Sequence, residues 1–284
     1  MSERSWRDSR RAAEQALVAA GVVNAASEAR WICEHVSGHE GVEWAEVERR
    51  APTARQVARL QALLGRRRGG EPLQYVLGGW PFRSLDVLVD PRVLIPRAET
   101  EWVVELALRA APHPGVAVDL GTGSGAIALS LARELDRVMV HATDVSGDAL
   151  AVARLNGAGN GIGNVTFHEG DWYTALPATL TGAVGLIVSN PPYVAETERS
   201  ELPREVVDHE PLIALLAGAD GLDAIRRVVG EARGWLRPGG IIVVEHGVAQ
   251  RDAVIGLALG AGLVDIRDEP DLAGRARALI ARAP

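Results

Sequence analysis

The sequence predicts an α/β protein in which a small N-terminal helical bundle precedes a mostly parallel sheet with helices on both faces. Two observations support this prediction. Before about Gly70, apolar residues recur at helical spacing and no strand pattern occurs. From about Val116, short β-rich runs alternate with helical stretches, which is the pattern of a parallel sheet.

Length and composition set limits on the class of protein. A chain of 284 residues accommodates one large domain and a small one. The net charge of -7 argues against a surface that coats nucleic acid, because phosphate binding depends largely on Lys and Arg. One cysteine, Cys33, permits no internal disulfide, which fits a reducing compartment. The N-terminus lacks an apolar run and no stretch is long enough to span a bilayer, so we expect a cytoplasmic protein.

The first half predicts helices with identifiable ends. Thr53 and Gln56 have the spacing of a capping box, in which both side chains satisfy free backbone N–H groups. An apolar helical face follows, and Gly65 is the predicted stop. Arg66–Arg68 are predicted to be a solvated helix end, with a patch for docking a partner as the less favoured alternative. Similar apolar stripes occur at 12–17 and 29–36, with Gly21 and Gly38 as breaks.

The second half predicts seven strands separated by helices. A connecting segment, 71–115, is rich in Pro and Gly and contains a strand-like run at 85–89. The predicted strands of the sheet are 116–120, 138–143, 165–168, 185–189, 241–245, 263–268 and 277–281.

A glycine-rich turn follows the first of these strands. Glycines at such a turn let the backbone approach a ligand closely. The spacing is Asp119-x-Gly121-x-Gly123-x-Gly125, whereas a dinucleotide site requires G-x-G-x-x-G. The turn resembles motif I of the S-adenosylmethionine (SAM) methyltransferases. Asp119 then has the chemistry to orient the ammonium group of the methionine moiety.

Suitable polar groups also end the next two strands. Asp144 has the position of a carboxylate that holds the ribose hydroxyls, although it could instead cap the following helix. Asp171 and Trp172 could hydrogen-bond and stack on an adenine, although Trp172 could also belong to the core. Three consecutive strand ends with suitable groups favour a SAM site.

The fourth strand ends in Asn190-Pro191-Pro192-Tyr193. Methyltransferases that act on a planar amino nitrogen carry such a motif here. The Asn190 side-chain oxygen and the Pro191 carbonyl could accept the two N–H groups and direct the nitrogen lone pair at the methyl group. Proline restricts this backbone, and Tyr193 could pack on the planar group. Catalysis by alignment needs neither a metal nor a covalent nucleophile.

Competing chemistries have weak support in the sequence. His35 and His39 are four residues apart, but Gly38 is expected to end that helix and no carboxylate completes a metal site. No Gly-x-Ser-x-Gly elbow or Cys/His pair indicates a hydrolase.

Several further segments narrow the resemblance to one family. The chain resembles the HemK/PrmC family, protein-(glutamine-N5) methyltransferases that modify the Gly-Gly-Gln glutamine of peptide chain release factors. The segments that carry the resemblance are GEPLQYVLG (70–78), LIPRAETE (94–101), DLGTGSG (119–125), GDWY (170–173), VSNPPYV (188–194), HEPLIALLAGADGL (209–222) and VVEHG (243–247).

The resemblance implies an organisation and a set of site residues. Residues 1–72 form a helical bundle that docks the release factor, 73–98 a linker with a β-hairpin, and 99–284 a Rossmann-like SAM-dependent methyltransferase domain. Asn190 to Tyr193 hold the glutamine, and the product of the cofactor is S-adenosylhomocysteine. The residues implied to contact SAM are Gly121, Thr122, Gly123, Ser124, Gly125, Asp144, Trp172 and Asn190.

One implied part of the site has an alternative interpretation. Arg97, Thr100 and Glu101 belong to a segment near the active site in such enzymes, but they could equally cap a helix that begins near Glu101. The family usually has a proline at the position of Ala98, and its loss should loosen the loop slightly.

Two other functions remain open from the sequence. An adenine-N6 nucleic-acid methyltransferase uses the same loop chemistry but normally needs a basic face and a target-recognition region. A non-catalytic SAM-binding module would be expected to lose Asn190 or the glycine loop, and both are intact. We therefore expect a monomeric enzyme that acts on release factors, without a metal, membrane attachment or stable nucleic-acid binding.

Overall fold

The computed structural model describes residues 5–284, which divide into two compact units. The first unit contains the chain up to Gly78 together with Arg204–His209, and the second contains the rest. The helices of the first unit are α1 (Trp6–Ala19), α2 (Ala25–Ser37), α3 (Gly41–Val47), α4 (Ala54–Arg68), α5 (Leu73–Leu77) and, much later in the chain, α9 (Arg204–His209).

The predicted capping box at the start of α4 is present. The Thr53 hydroxyl accepts a hydrogen bond from the Gln56 backbone N–H, and the Gln56 side chain accepts one from the Thr53 N–H. The predicted stop at Gly65 is wrong, because α4 continues to Arg68 and is capped by Gly69. A single glycine inside a helix costs only about 1 kcal/mol relative to alanine, and basic residues in the last turn favour continuation.

The arginines at the end of α4 are not simply solvated. The side chain of Arg67 is only 10% exposed and donates to Glu28 of α2 over 2.5 Å. It also lies 3.3 Å from Glu205 of α9, so α9 joins this unit through a charge contact. The prediction of a solvated end is therefore wrong for Arg67, because a buried carboxylate of another helix faces it.

The second unit begins with a hairpin. Strands β1 (Gly79–Phe82) and β2 (Leu85–Leu88) pair in antiparallel fashion. The Leu88 backbone N–H donates to the Asn156 side chain, whose amide donates back to the Leu88 carbonyl. The side chain of Asn156, which lies outside the hairpin, thus satisfies both backbone groups of Leu88.

A seven-stranded sheet forms the centre of the second unit, in the order β5-β4-β3-β6-β7-β9-β8. All neighbouring pairs from β5 to β7 are parallel, whereas β9 is antiparallel to both β7 and β8. The strands are β3 (Val116–Leu120), β4 (Met139–Asp144), β5 (Val165–Glu169), β6 (Val184–Ser189), β7 (Leu236–Glu245), β8 (Val264–Pro270) and β9 (Ala276–Arg282). The helices are α6 (Ala98–Ala110), α7 (Ala126–Glu134), α8 (Gly147–Gly159), α10 (Asp223–Trp235) and α11 (Arg251–Gly260).

Burial explains why the central strands read as continuous apolar runs. Every residue of β6 is buried, as expected for a parallel strand covered on both faces. Helix α10 contributes Ile225, Val228, Val229 and Ala232 to the core, at the spacing of one helical face. The central strands are therefore rigid supports, and their carboxyl ends define one edge of the sheet.

Candidate active site

A cavity of about 500 Å³ lies where β3, β4 and β6 end. Its volume falls within the range typical of small-molecule sites. The structure brings most strand-end groups of the sequence analysis together on its wall, since the lining includes Gly121, Gly123, Asp144, Asp171, Trp172, Asn190 and Pro192. The other predicted residues do not line the cavity, namely Asp119, Thr122, Ser124, Gly125, Pro191 and Tyr193.

The glycine loop requires backbone that side chains disfavour. Gly121, Gly123 and Gly125 all have positive φ. A Cβ on Gly125 would also lie 3.1 Å from the Cβ of Ala153 in α8, so glycine allows the loop to pack closely on this helix. The loop is tied to β4 because the N–H groups of Gly121 and Thr122 both donate to the Thr143 carbonyl.

Asp144 connects the same loop to the end of β4. One carboxylate oxygen accepts from the Gly123 N–H over 2.8 Å, and the other accepts from the Ser146 N–H over 2.9 Å. Burial raises the pKa of Asp144, and these backbone donors partly offset the effect. The helix cap is Ser146, whose hydroxyl accepts from the Ala149 N–H. Asp144 therefore does not cap α8, and each of its oxygens retains accepting capacity toward the cavity.

Asp119 lies behind the loop and is completely buried. Its Oδ2 accepts from the Thr122 hydroxyl over 2.6 Å and from the Ala128 N–H over 3.1 Å. Its Oδ1 has no partner among the described residues. Burial raises the pKa of Asp119 to about 7, although Thr122 and Ala128 lower it in part. An unpartnered buried carboxylate oxygen is costly, so this atom is suited to a cationic ligand.

We expect Asp119→Asn to make the stability of the protein less dependent on pH. The folded state holds the Asp119 proton up to about pH 7, whereas the unfolded state releases it near pH 4. The free energy of unfolding should therefore fall as pH rises between these values, and the variant should lose part of that fall. Urea denaturation between about pH 5 and 8 measures how the free energy of unfolding of each protein depends on pH.

The matched control for this prediction is Asp136→Asn, which changes an exposed aspartate. The two variants remove the same charge, so a change seen only in Asp119→Asn belongs to the buried position. If the free energy of unfolding falls equally with pH in Asp119→Asn and in the wild type, the carboxyl of Asp119 is not the group that titrates.

Trp172 occupies strained backbone beside the glycine loop. Its φ is +48°, in the left-handed region that non-glycine residues rarely adopt. A Cβ on Gly121 would lie 3.1 Å from the Trp172 ring, which shows how closely the indole approaches the loop. Asp171, the preceding residue, lies 3.3 Å from Arg227. A strained residue persists only where its surroundings hold it, and the strained backbone of Trp172 places its aromatic ring on the cavity wall.

The loop after β6 is held by contacts from two later segments. The Gln250 side chain donates to the Tyr193 carbonyl over 2.9 Å. Val194 forms a parallel bridge with Leu216, and the Val194 N–H donates to the Leu215 carbonyl. Pro191 is buried and Tyr193 is half-buried. The backbone that carries Asn190 therefore has little freedom to move.

Arg97, Thr100 and Glu101 have three different partners. Helix α6 begins at Ala98, and Arg97 occupies the N-cap position. No side chain among the described residues accepts a hydrogen bond from the free N–H groups at this helix end, so the capping interpretation is wrong. Arg97 pairs with Glu210 over 2.5 Å, and the Glu101 side chain accepts from the Arg83 N–H.

Thr100 connects the loop after β6 to Glu245. Its hydroxyl lies 2.8 Å from Glu245 and 3.0 Å from the Asn190 amide nitrogen. Thr100 is therefore the member of the segment that reaches the candidate site.

Sequence reasoning overlooked several supporting residues. Asn156 donates to the Ser124 carbonyl in the glycine loop, and Glu210 accepts from the Ile95 N–H. Glu245 and Gln250 hold the Asn190–Tyr193 loop. Glu210 and Glu245 lie in two of the segments that carry the family resemblance, 209–222 and 243–247, and this was the available signal.

The histidines considered for a metal site have other partners. His35 Nε2 lies 2.8 Å from Arg59, and His39 Nδ1 lies 3.0 Å from the Ser37 carbonyl. Within residues 5–284, no group of three or more His, Cys, Asp or Glu side chains is arranged to hold a metal ion. Over the same residues, no helix is both long and apolar enough to cross a membrane.

Comparison with known proteins identifies the family. A model described as the PrmC N-terminal domain matches residues 8–78, and one described as the methyltransferase small domain matches residues 102–210. A release factor glutamine methyltransferase from Streptomyces coelicolor is 42% identical over 275 residues, which cover 95% of each chain. The chain belongs to the release factor glutamine methyltransferase family. The predicted resemblance is confirmed.

A second release factor glutamine methyltransferase agrees in sequence, and a solved structure agrees in fold. The protein of that name from Xylella fastidiosa (strain 9a5c) is 46% identical over 226 residues, 79% of this chain and 81% of the relative. Among solved structures, the hMettl16 catalytic domain in complex with MAT2A 3'UTR hairpin 1 has a TM-score of 0.60 at 15% identity. It covers 89% of this chain and 90% of its own, and at that identity it shows the fold alone. The predicted Rossmann-like methyltransferase fold is confirmed.

Proposed function

We propose that this protein transfers a methyl group from SAM to the side-chain amide nitrogen (N5) of the Gly-Gly-Gln glutamine in peptide chain release factors. One observation carries the proposal: Asn190 lines the same cavity as Gly121 and Gly123 of the glycine loop. An amide acceptor and a cofactor cradle thus share one space. The names of the similar proteins support the choice of substrate.

The residues of the cavity fit SAM. Asp144 lines the cavity and keeps accepting capacity for hydroxyls. Asp119 does not line the cavity, but it is bonded to Thr122 of the glycine loop and has an unpartnered oxygen suited to a cationic ammonium group. Trp172 and Asp171 provide an aromatic face and a carboxylate for an adenine. When bound, SAM supplies a methyl group on a positively charged sulfur, so no further activation of the leaving group is required.

The protein's own contribution is to orient a poor nucleophile. The lone pair of an amide nitrogen is delocalised into the carbonyl, so nucleophilicity depends on rotation and hydrogen bonding. In the proposed reaction, the Asn190 side-chain oxygen and the Pro191 carbonyl accept the two N–H groups. Acceptors at this position stabilise the positive charge that develops on nitrogen. Because β6 and the Gln250 contact restrain this loop, the acceptors are preorganised.

The organisation of the chain suggests how a protein substrate binds. We propose that residues 1–72 dock the release factor, that 73–98 act as a linker and that 99–284 catalyse the reaction. We further propose that the enzyme is a cytoplasmic monomer, because its substrate is a large protein of the translation machinery.

Methyl transfer from labelled SAM to a purified release factor tests the proposal. The control is the same factor with alanine in place of the Gly-Gly-Gln glutamine. We expect label on the wild-type factor only, with a mass increase of one methyl group on the peptide that contains the glutamine.

Other outcomes distinguish the alternatives. Label in RNA or DNA but not in the factor would indicate the adenine-N6 reaction. SAM binding by calorimetry without transfer to either substrate would indicate a non-catalytic module.

A further inference from the structure

Glu245 is an acidic residue buried at the centre of the site. It ends β7, next to β6, where Ser189 and Val244 are paired in parallel register. Only 1% of its surface is exposed. A carboxylate buried to this extent is strongly disfavoured unless it is hydrogen-bonded, so its partners indicate its role.

Glu245 begins a chain of hydrogen bonds that ends at Asn190. One carboxylate oxygen accepts from the Thr100 hydroxyl over 2.8 Å. The Thr100 oxygen in turn accepts from the Asn190 amide nitrogen over 3.0 Å. The other carboxylate oxygen accepts from the Tyr193 hydroxyl over 3.3 Å. Both side chains that flank Pro191-Pro192 are thus connected to one carboxylate.

The number of available protons determines which atom donates in each hydrogen bond between Glu245, Thr100 and Asn190. An ionised carboxylate only accepts, so Thr100 must give its single hydroxyl proton to Glu245. The Thr100 oxygen can then only accept from Asn190, which turns the Asn190 NH₂ toward Thr100. The Asn190 Oδ1 receives no hydrogen bond from the described residues, and Asn190 lies on the cavity wall.

We propose that Glu245 is a positioning residue that, through Thr100, determines which end of the Asn190 amide meets the substrate. With the chain in the direction described, Asn190 presents its oxygen, which is the acceptor that a glutamine N–H requires. With the direction reversed, it would present an NH₂ group to another NH₂ group. Tyr193 is held by the same carboxylate. This inference rests on the proposed methyl transfer to an amide.

Protonation of Glu245 permits the reversal. Burial raises the pKa of Glu245 to about 7, against the lowering effects of Thr100, Arg277 and Tyr193, while Glu99 raises it further. These are the polar and charged groups of α6, β9 and the Asn190 loop that face it. Below this pKa the carboxyl can donate to Thr100, and Thr100 can then donate to the Asn190 oxygen. The active direction is therefore the one present above about pH 7.

The first test compares two substitutions of Thr100. Thr100→Val keeps the shape and removes the hydroxyl, whereas Thr100→Ser keeps the hydroxyl. At saturating SAM and release factor, we expect Thr100→Val to lower the single-turnover rate about 10- to 100-fold, because misoriented groups cost this much. Thr100→Ser should recover most of the rate. Neither should change the Kd of SAM by more than about threefold, since Thr100 does not line the cavity.

The matched control is Thr166→Val on the exposed edge strand β5, which should keep the wild-type rate. Thr100→Val at the wild-type rate, or Thr100→Ser as slow as Thr100→Val, would overturn the inference.

The second test uses pH. At saturating SAM, where titration of Asp119 does not limit the rate through cofactor affinity, the ionisation of Glu245 should lower the wild-type rate about tenfold between pH 8 and pH 6. In Glu245→Gln, the new amide oxygen can accept from Thr100 while its NH₂ faces the Tyr193 oxygen, so the direction of the chain is kept without titration. We expect this variant to retain transfer but to lose the acidic decline. An unchanged decline would contradict the role of Glu245.

A readout independent of activity separates this inference from the proposed function. With selective ¹⁵N-asparagine labelling, the side-chain amide signal of Asn190 should titrate near pH 7 in the wild type. It should not titrate in Glu245→Gln or Thr100→Val. A wild-type signal that does not respond to pH overturns the inference, whether or not the enzyme methylates a release factor.

Discussion

Asn190→Ala is expected to lower the rate of methyl transfer about 100- to 1,000-fold, the loss typical of removing one preorganised polar contact to the reacting group. The variant loses the acceptor on the cavity wall but leaves the glycine loop and Asp144 in place. The affinity for SAM should therefore change much less than the rate. Single-turnover transfer to a release factor and calorimetric titration with SAM measure the two quantities.

The control for Asn190→Ala is Asn24→Ala, which changes an exposed asparagine that makes no capping hydrogen bond at the start of α2. It should keep both the rate and the affinity. A rate for Asn190→Ala within a few-fold of the wild type would show that the side-chain oxygen is not the acceptor. A loss of SAM affinity as large as the loss of rate would show instead that Asn190 serves the cofactor.

Gly221→Ala is expected to disable the site although Gly221 does not line the cavity. Its φ is +72°, where alanine costs about 1–2 kcal/mol. Its Cβ would also clash with the Tyr193 carbonyl and lie 2.8 Å from the Gln250 amide nitrogen. The Asn190–Tyr193 loop must then move, and a displacement of about 1 Å can cost a factor of about 100 in rate. Transfer assays and thermal unfolding measure the two effects.

The matched control for Gly221→Ala is Gly230→Ala in the same part of the chain. Gly230 is exposed within α10, and an added Cβ would meet nothing within 4 Å. Alanine should therefore stabilise the helix by up to about 1 kcal/mol and leave transfer unchanged. Wild-type transfer by Gly221→Ala would mean that the loop accommodates the methyl group without moving the acceptors.

Local patterns were sufficient to predict much of the architecture. The alternation of strands and helices after Val116 predicted the seven-stranded sheet, because each strand and helix carries its own periodicity. The strand-end positions of Asp144, Trp172 and Asn190 predicted a shared cavity, since parallel strands bring their carboxyl ends to one edge. The capping box at Thr53 was equally local.

Other features depend on contacts between distant parts of the chain. Gly65 is an ordinary helix breaker in sequence, yet α4 continues past it and Arg67 meets Glu28 and Glu205. The same applies to Gly221, whose φ and closeness to Tyr193 have no local signal. Such positions are decided by packing, which a single sequence does not display.

The sequence by itself determined the class of chemistry: a glycine loop after the first strand, carboxylates after the next two, and Asn-Pro-Pro-Tyr after the fourth. Only the tertiary structure decided how the Asn190 side chain is held. Thr100 and Glu245 are separated by 145 positions, and Thr100 and Asn190 by 90. Hydrogen bonds over such separations leave no periodic or spacing signal. Their direction follows from burial and proton count, which exist only once the strands and α6 are assembled.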